Sequence, residues 1–363
     1  MYQTTWVEVD QTSLISNIRS IRSRVKPDII LCGVVKADGY GHGSIEIAQT
    51  MAKEGISFFC VANLREGLEL RRGGIQGKIL VLGWTPPEGF ATALLEGISL
   101  TMFSSLDLEC LNEEAKKQNK KAMIHLKVNT GLNRLGARWD GEILELARLA
   151  STWPEIQIEG TFSHLYNANA RDDESVIKQV EKFNYALALL EKAGIKAGIR
   201  HLANSAGTLF YPETHFDMVR PGEAFYGLSD YPDVIQEPVM TLKTRISFIK
   251  NLPVGETVSY GGNFQKDQVC RIGSLPVGYA DGWTWALRGY AIPYQGRKLP
   301  IAGNICMDQM MIDLTEWKEC KVGDELVLFG KNGAKANEIA DYVKIPTLEV
   351  ATRIGKRVPR IYK

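Results

Sequence analysis

Cys32-Gly33-Val34-Val35-Lys36-Ala37-Asp38-Gly39-Tyr40-Gly41-His42-Gly43 is the stretch around which the chain is organised. The apolar run 29–35 reads as a buried strand, and it ends abruptly in a lysine. A glycine-rich turn with a tyrosine and a histidine follows. A lysine at the end of an apolar strand is partly desolvated, which lowers the pKa of its ammonium group. Such a lysine can act as a Schiff-base nucleophile and then as a general base. The glycines let a ligand approach the backbone, and the Tyr40 phenol can reach an anion. In isolation, a strand ending in a solvated lysine is the better reading. The rest of the chain reverses that.

Working outward, Thr5–Val9 alternates as a strand, and residues 11–25 carry Leu14, Ile15, Ile18, Ile21 and Val25 at helical spacing. Strand-like runs then recur at 29–35, 58–62, 78–82, 100–103, 123–128, 156–162, 199–202 and 216–219. Helical patterns lie between them; the clearest sets Val176, Val180, Phe183, Leu187 and Leu190 on one face and stops at Gly194. Eight such units predict an α/β chain with a (β/α)8 TIM-type barrel over 10–233, a doubly wound sheet being the alternative. The alternation stops near 230–238. Short runs at 240–249, 257–260, 269–275, 298–301, 310–314 and 325–329, parted by glycines and prolines, predict a mainly β domain over 234–363, with the N-terminal strand 1–9. Residues 336–356 read as helical.

The 363 residues carry a formal net charge of +1, so no nucleic acid or other polyanion partner is implied. The six cysteines form no C-x-x-C pair, which reads as reduced thiols in the cytoplasm. The five histidines lack metal-ligand spacing, so no metal is expected. No apolar run is long enough to span a membrane. The chain enters its first strand at once, which fits a soluble protein and equally a soluble piece cut from a longer one.

In a barrel of this kind, catalytic groups stand at the C-terminal ends of strands. Lys36 ends the first. The fifth runs into Lys127 and Arg134, the sixth ends in Ser163-His164, the seventh in His201-Leu202-Ala203-Asn204-Ser205, and the eighth in Arg220-Pro221-Gly222. Singly, Arg134 could be a surface cation, His164 and His201 core histidines, and Ser205 a helix cap. Together at one rim they are hard to explain by packing. Ser205 would cap a short helix whose amides bind a phosphate, and Gly222 would add a close amide.

These stretches resemble the alanine racemase family, from Trp6 to Tyr362. Val35-Lys36-Ala37-Asp38-Gly39-Tyr40-Gly41-His42-Gly43 is similar to its pyridoxal 5'-phosphate (PLP) lysine motif, and Thr257-Val258-Ser259-Tyr260-Gly261-Gly262 to its catalytic-tyrosine motif. Gly303-Asn304-Ile305-Cys306-Met307-Asp308-Gln309 and Val277-Gly278-Tyr279-Ala280-Asp281-Gly282 are similar to two further signatures. The resemblance implies PLP bound to Lys36, with Tyr40, Arg134, His164, Ser205, Arg220 and Gly222 around it. It implies Lys36 and Tyr260 as the catalytic pair, Tyr260 coming from the other subunit of a homodimer. Arg134, Met307, Asp308 and Tyr279 would meet a small amino-acid substrate. Lys127 matches a lysine that can be carbamylated. Arg220 would face the pyridine nitrogen, supported by His164. Barrel-type PLP decarboxylases place a carboxylate there, so Arg220 favours racemisation. A non-catalytic PLP carrier needs no opposite-face base, and Tyr260 speaks against it.

Four positions depart from the family pattern. Asn169 stands where an acid is common, Trp285 and Asn304 where arginines are common, and Leu348 where a tyrosine is common. This combination resembles the serine-accepting racemase domains of vancomycin-resistance systems, which implies a cytoplasmic domain of a membrane-anchored protein as the alternative to a free cytoplasmic one. Both L-alanine and L-serine therefore stand as expected substrates, their D-forms supplying peptidoglycan precursors.

Overall fold

The computed structural model describes residues 3–171, 173–231, 234 and 236–363. The chain divides into two compact units. One holds Ile18–Gly39 and Ser44–Phe225; the other holds the N-terminal stretch to Asn17, Tyr40–Gly43 and Tyr226–Lys363. The predicted boundary at 233 falls outside the described residues.

In the first unit, parallel strands follow one another in chain order. Gly33–Val34 pairs with Phe58–Val61, and Lys78–Val81, Ser99–Met102, Ala122–Asn129, Ile156–Phe162 and Ile199–His201 continue the sheet. Ile30–Leu31 turns the other way and pairs with Met218–Val219. The first strand thus hands its hydrogen bonds from the eighth strand to the second across Cys32. The seventh and eighth are joined by Asp217 N–H to Arg200 O and Arg220 N–H to Ala203 O. The eight strands close into a (β/α)8 barrel. Phe58–Val61 and Ser99–Met102 are buried at every position, as strands covered on both faces must be. Helices between the strands are cut where their ends dictate. Asn63 caps Leu64–Arg72 and Asp173 caps Glu174–Lys192, each side chain accepting a backbone N–H.

The second unit is built on a four-stranded sheet ordered Glu325–Phe329, Met240–Arg245, Thr5–Val9, Arg360–Tyr362. A three-stranded sheet, Phe248–Leu252, Cys270–Leu275 and Met310–Asp313, and two small hairpins complete it. Two expectations change here. The run 240–249 is two strands in different sheets, because at Ile246 and Ser247 the backbone turns to Asp324 O and Ser274 O. The helical stretch 336–356 is two helices, Ala336–Val343 and Thr347–Thr352, broken by left-handed Lys344 and by Pro346. Among the described residues, no helix is long and apolar enough to cross a membrane.

Candidate active site

Lys36 opens a left-handed turn. Ala37, Asp38, Gly39 and Tyr40 have φ of 52, 55, 59 and 54°. Three of these carry a Cβ, so the turn stores on the order of 1–2 kcal/mol at each. Its surroundings hold it there. The Glu66 carboxylate accepts Ala37 N–H at 2.8 Å and Ala62 N–H at 2.7 Å, tying the turn to the end of the second strand. Asp38 accepts Ser44 N–H at 3.0 Å, at the start of the helix Ser44–Lys53. The result is a half-buried Lys36 with a lowered pKa. Burial is the main cause and the nearby Arg134 charge the next, with Glu66 partly opposing them.

Lys36 lines a cavity of about 210 Å³ with Ala62, Leu82, Gly83, Lys127, Arg134, Leu135, Phe162, His164 and Arg220. The sequence-predicted Lys36, Arg134, His164 and Arg220 therefore do converge. Two lysines and two arginines line this space, and among the described residues no carboxylate does, so it suits an anionic ligand. Lys127 is buried with its ammonium 4.1 Å from the centre of the Phe162 ring. Burial, then the Arg220 and Arg134 charges, push its pKa well down.

Arg220, at 4% exposure, anchors a relay that sequence reasoning missed. Nη1 donates to His201 Nδ1 at 2.7 Å; Nη2 donates to Ser163 O at 2.9 Å and to His164 Nδ1 at 3.3 Å. A guanidinium only donates, so His201 Nδ1 must accept and Nε2 must carry the proton. Nε2–H then donates to His125 Nδ1 at 2.8 Å, and His125 Nε2–H donates to Glu159 at 3.3 Å. Glu159 also takes Ser99 Oγ–H at 2.6 Å and Lys78 Nζ at 2.8 Å. Both imidazoles stay neutral: burial lowers each pKa, and for His201 the Arg220 charge pushes further. Glycine at 160 is required, since a Cβ there would lie 2.5 Å from the His125 ring. The signal for this relay is the register, which sets His125 opposite Gly160, the neighbour of Glu159, on adjacent strands.

Burial alone would raise the Glu159 pKa; hydrogen bonds from His125, Lys78 and Ser99 outweigh it and bring it to about 2. A depressed carboxylate stabilises the fold above its unfolded pKa, and that contribution disappears as the pH falls through the folded value. Glu159→Gln is therefore expected to cost about 2 kcal/mol at neutral pH. Thermal melts of both proteins should show the gap closing between pH 4.5 and about 2. A gap independent of pH would mean that the charge of Glu159 is not what stabilises the relay.

Ser205 departs from expectation. Asn204 caps the helix Ser205–Phe210, its side chain accepting Gly207 N–H. The buried Ser205 hydroxyl instead accepts Gly222 N–H at 2.9 Å and Ala224 N–H at 3.3 Å. The helix begins one residue earlier than expected, so Asn204 takes the cap and leaves the serine to tie the seventh strand's loop to the eighth's. Ser205 and Gly222 are thus together, as a hydroxyl already bonded to an amide.

The other predicted residues lie in the second unit. Tyr40 is buried with its ring 4.9 Å from that of Tyr226. Tyr260 is 75% exposed on the short turn Tyr260–Gly262. Tyr279 and Met307 are exposed on two segments in backbone contact: Tyr279 N–H donates to Cys306 O and Ala280 N–H to Met307 O. A Cβ at Gly278 would lie 2.3 Å from both the Cys306 and Met307 carbonyl oxygens, so only glycine fits there. Asp308 pairs with Arg357 at 2.7 Å, and the same guanidinium holds Asp281 at 2.7 Å.

Family models for the N-terminal and C-terminal domains of alanine racemase match residues 9–230 and 239–362. The chain belongs to the alanine racemase family. It is 41% identical to the alanine racemase of Clostridium tetani, over 98% of this chain and 95% of that one. It is 37% identical to that of Desulfovibrio desulfuricans, over 98% and 97%. The solved alanine racemase of Clostridium difficile 630 superposes with a TM-score of 0.96 at 34% identity, over 100% of this chain and 96% of that one. That of Bacillus anthracis, solved with bound L-Ala-P, superposes at 0.94 and 32% identity, with the same coverage. Membership of the alanine racemase family makes the chain an amino-acid racemase, an isomerase, and sets aside the decarboxylase and carrier readings.

Proposed function

We propose that the protein interconverts L- and D-alanine with PLP held on Lys36, using Lys36 and Tyr260 as bases on opposite faces of the substrate. The observation that carries this is the cavity lined by two lysines and two arginines, with no carboxylate among the described residues, at the end of the strand that bears Lys36. A phosphorylated cofactor and a substrate carboxylate both need such charge. Arg220 fits as well: its bonds to His201, Ser163 and His164 use Nη1 and Nη2, which leaves Nε–H to donate to a ring nitrogen. When bound, PLP supplies the conjugated ring that acidifies the Cα–H bond.

The chain's own residues do the rest. Lys36 has a lowered pKa, so a larger share of it is the neutral amine needed to attack a carbonyl and to take a proton. Arg220 donates a hydrogen bond and withholds a proton. Negative charge developing in the reaction then stays near Cα, where reprotonation racemises and side reactions are limited. Its relay keeps the guanidinium in one orientation. Burial and the Arg220 and Arg134 charges push the Lys127 pKa well down, which raises its share of neutral amine, and only a neutral amine can add carbon dioxide to become an anionic carbamate, releasing one proton. That anion would orient Arg134 toward the cofactor and the substrate carboxylate. Tyr40, Ser205 and Gly222 would hold the phosphate. Met307, Asp308 and Tyr279 would face the incoming amino acid. Tyr260 comes from a second copy of the chain in a homodimer. The protein works in the cytoplasm, and its D-alanine feeds peptidoglycan precursors. The decisive test is chiral chromatography of L-alanine incubated with PLP-loaded protein: D-alanine forming to an even mixture supports the reading, and unchanged L-alanine refutes it.

Serine is the second substrate. Leu348 motivates it: the residue is half-buried on the helix Thr347–Thr352, with leucine where the family pattern has a phenol. A serine hydroxyl left buried without a partner costs roughly 1–3 kcal/mol, so it needs room and a hydrogen bond. Leucine supplies room, and the partner must be water or another polar group. The kcat/KM for L-serine is expected within about tenfold of that for L-alanine, and Leu348→Tyr should lower serine turnover more than alanine turnover. Rejection of serine by more than about a hundredfold, unchanged by Leu348→Tyr, leaves alanine as the substrate.

A further inference from the structure

We infer that Ser259 and Asn304 form a reciprocal staple that positions Tyr260, so that both act as positioning residues for the reaction. The inference rests on Tyr260 being the second base. Ser259 Oγ donates to the Asn304 carbonyl at 2.6 Å, and Asn304 Nδ2 donates to the Tyr260 carbonyl at 2.8 Å. The two bonds run in opposite senses between two distant segments and close a small ring of chain.

The turn being held is strained. Ser259 sits at φ 67°, ψ 178°, a region used almost only by glycine. Gly261 and Gly262 follow at φ 76° and 58°. The partner segment is pressed against it: a Cβ on Gly303 would lie 2.6 Å from Val258 O and 2.9 Å from Ser259 Cβ. Cys306 Sγ adds a contact at 3.6 Å to Ser259 Oγ. The Tyr260 side chain is mostly exposed, so little packing within its own unit fixes its direction. The backbone must do so, and the staple is what keeps the backbone in a conformation it would otherwise leave. Asn304, one of the departures from the family pattern, thereby acquires a role: its amide is a donor aimed at the carbonyl of the residue whose phenol moves a proton.

Proton transfer requires the phenol within hydrogen-bond reach of Cα, and a misplacement of about 1 Å can cost on the order of a hundredfold in rate. Asn304→Asp is nearly isosteric and replaces the donor with an oxygen that repels the Tyr260 carbonyl. In the PLP-loaded enzyme it is expected to lower kcat on the order of tenfold at unchanged KM. The Cα-deuterium isotope effect should rise in the direction in which Tyr260 takes the proton and stay the same in the other. Hydrogen exchange over residues 257–263 should speed up with or without PLP. Ser259→Ala should behave alike, and Ser259→Gly, which relieves the strained φ but lacks the hydroxyl, should fall between it and the wild type. Tyr260→Phe is measured alongside. If it stays active, the reading of Tyr260 as a base fails. If it is inactive while Asn304→Asp and Ser259→Ala keep wild-type kcat and exchange, the staple is overturned and the base stands. A loss that lies in KM, with kcat and the isotope effects in both directions unchanged, also overturns it. Should Asn304→Asp fail to fold, Ser259→Ala decides.

Discussion

Lys36→Ala protein is expected to lack the near-visible band of lysine-bound PLP once unbound PLP is removed, and to lose racemase activity by about 10⁴-fold or more. The expectation combines two losses at one atom. Nζ is the nucleophile that would carry the cofactor, and it is one of the two proposed bases. The substitution removes the near-visible absorbance of lysine-bound PLP, so binding is read independently of turnover. The pH dependence is a second check. Burial and the Arg134 charge lower the Lys36 pKa, while Glu66 opposes them. Colour should therefore develop in PLP-free wild type with a midpoint below the ordinary lysine value of 10.5. Glu66→Gln removes the opposing carboxylate and should move the midpoint further down. It should also loosen the left-handed turn, since Ala37 and Ala62 would share a weaker acceptor. A wild-type midpoint at the ordinary value would show that Lys36 is solvated, and would return the stretch to a strand ending in a surface lysine.

The parts of this site legible in the sequence are those marked by strand ends. Lys36, His164 and Arg220 each follow an apolar run, and in a barrel the ends of such runs share one rim. The fold was legible for the same reason: eight runs with helical spacing between them leave few ways to bury every strand. Interior partners were not legible. His125 and Glu159 sit inside strands, where period-2 alternation says that they face one side but not what they meet. Only register brings His125, Glu159 and His201 into a line behind Arg220. The Ser205 cap failed on a different scale. Two adjacent residues, Asn204 and Ser205, can each cap a helix, and propensity alone does not say which will. The left-handed turn at Ala37–Tyr40 was not legible either, because glycines at 39 and 41 suggest freedom. The structure shows instead a fixed strain held by Glu66 and Asp38.

Tyr260→Phe is expected to lower turnover by about 10³-fold, since it removes only the proton-carrying oxygen on one face of the substrate. Its KM should change little, because the ring remains. The sharper consequence concerns where the phenol comes from. In a homodimer with shared sites, each site takes Lys36 from one copy and Tyr260 from the other. A dimer of one Lys36→Ala chain and one Tyr260→Phe chain then has one site with both defects and one site with neither. Random exchange makes half of all dimers mixed, and half of their sites intact, so a mixture of two inactive proteins should recover about a quarter of wild-type activity. If each site were built within one chain, every site in the mixture would keep one defect, and mixing would restore nothing. Exchange itself is followed by native mass spectrometry of differently tagged chains. Mixed dimers without recovered activity would refute the shared site, while a dead Tyr260→Phe protein would still leave the phenol as a base.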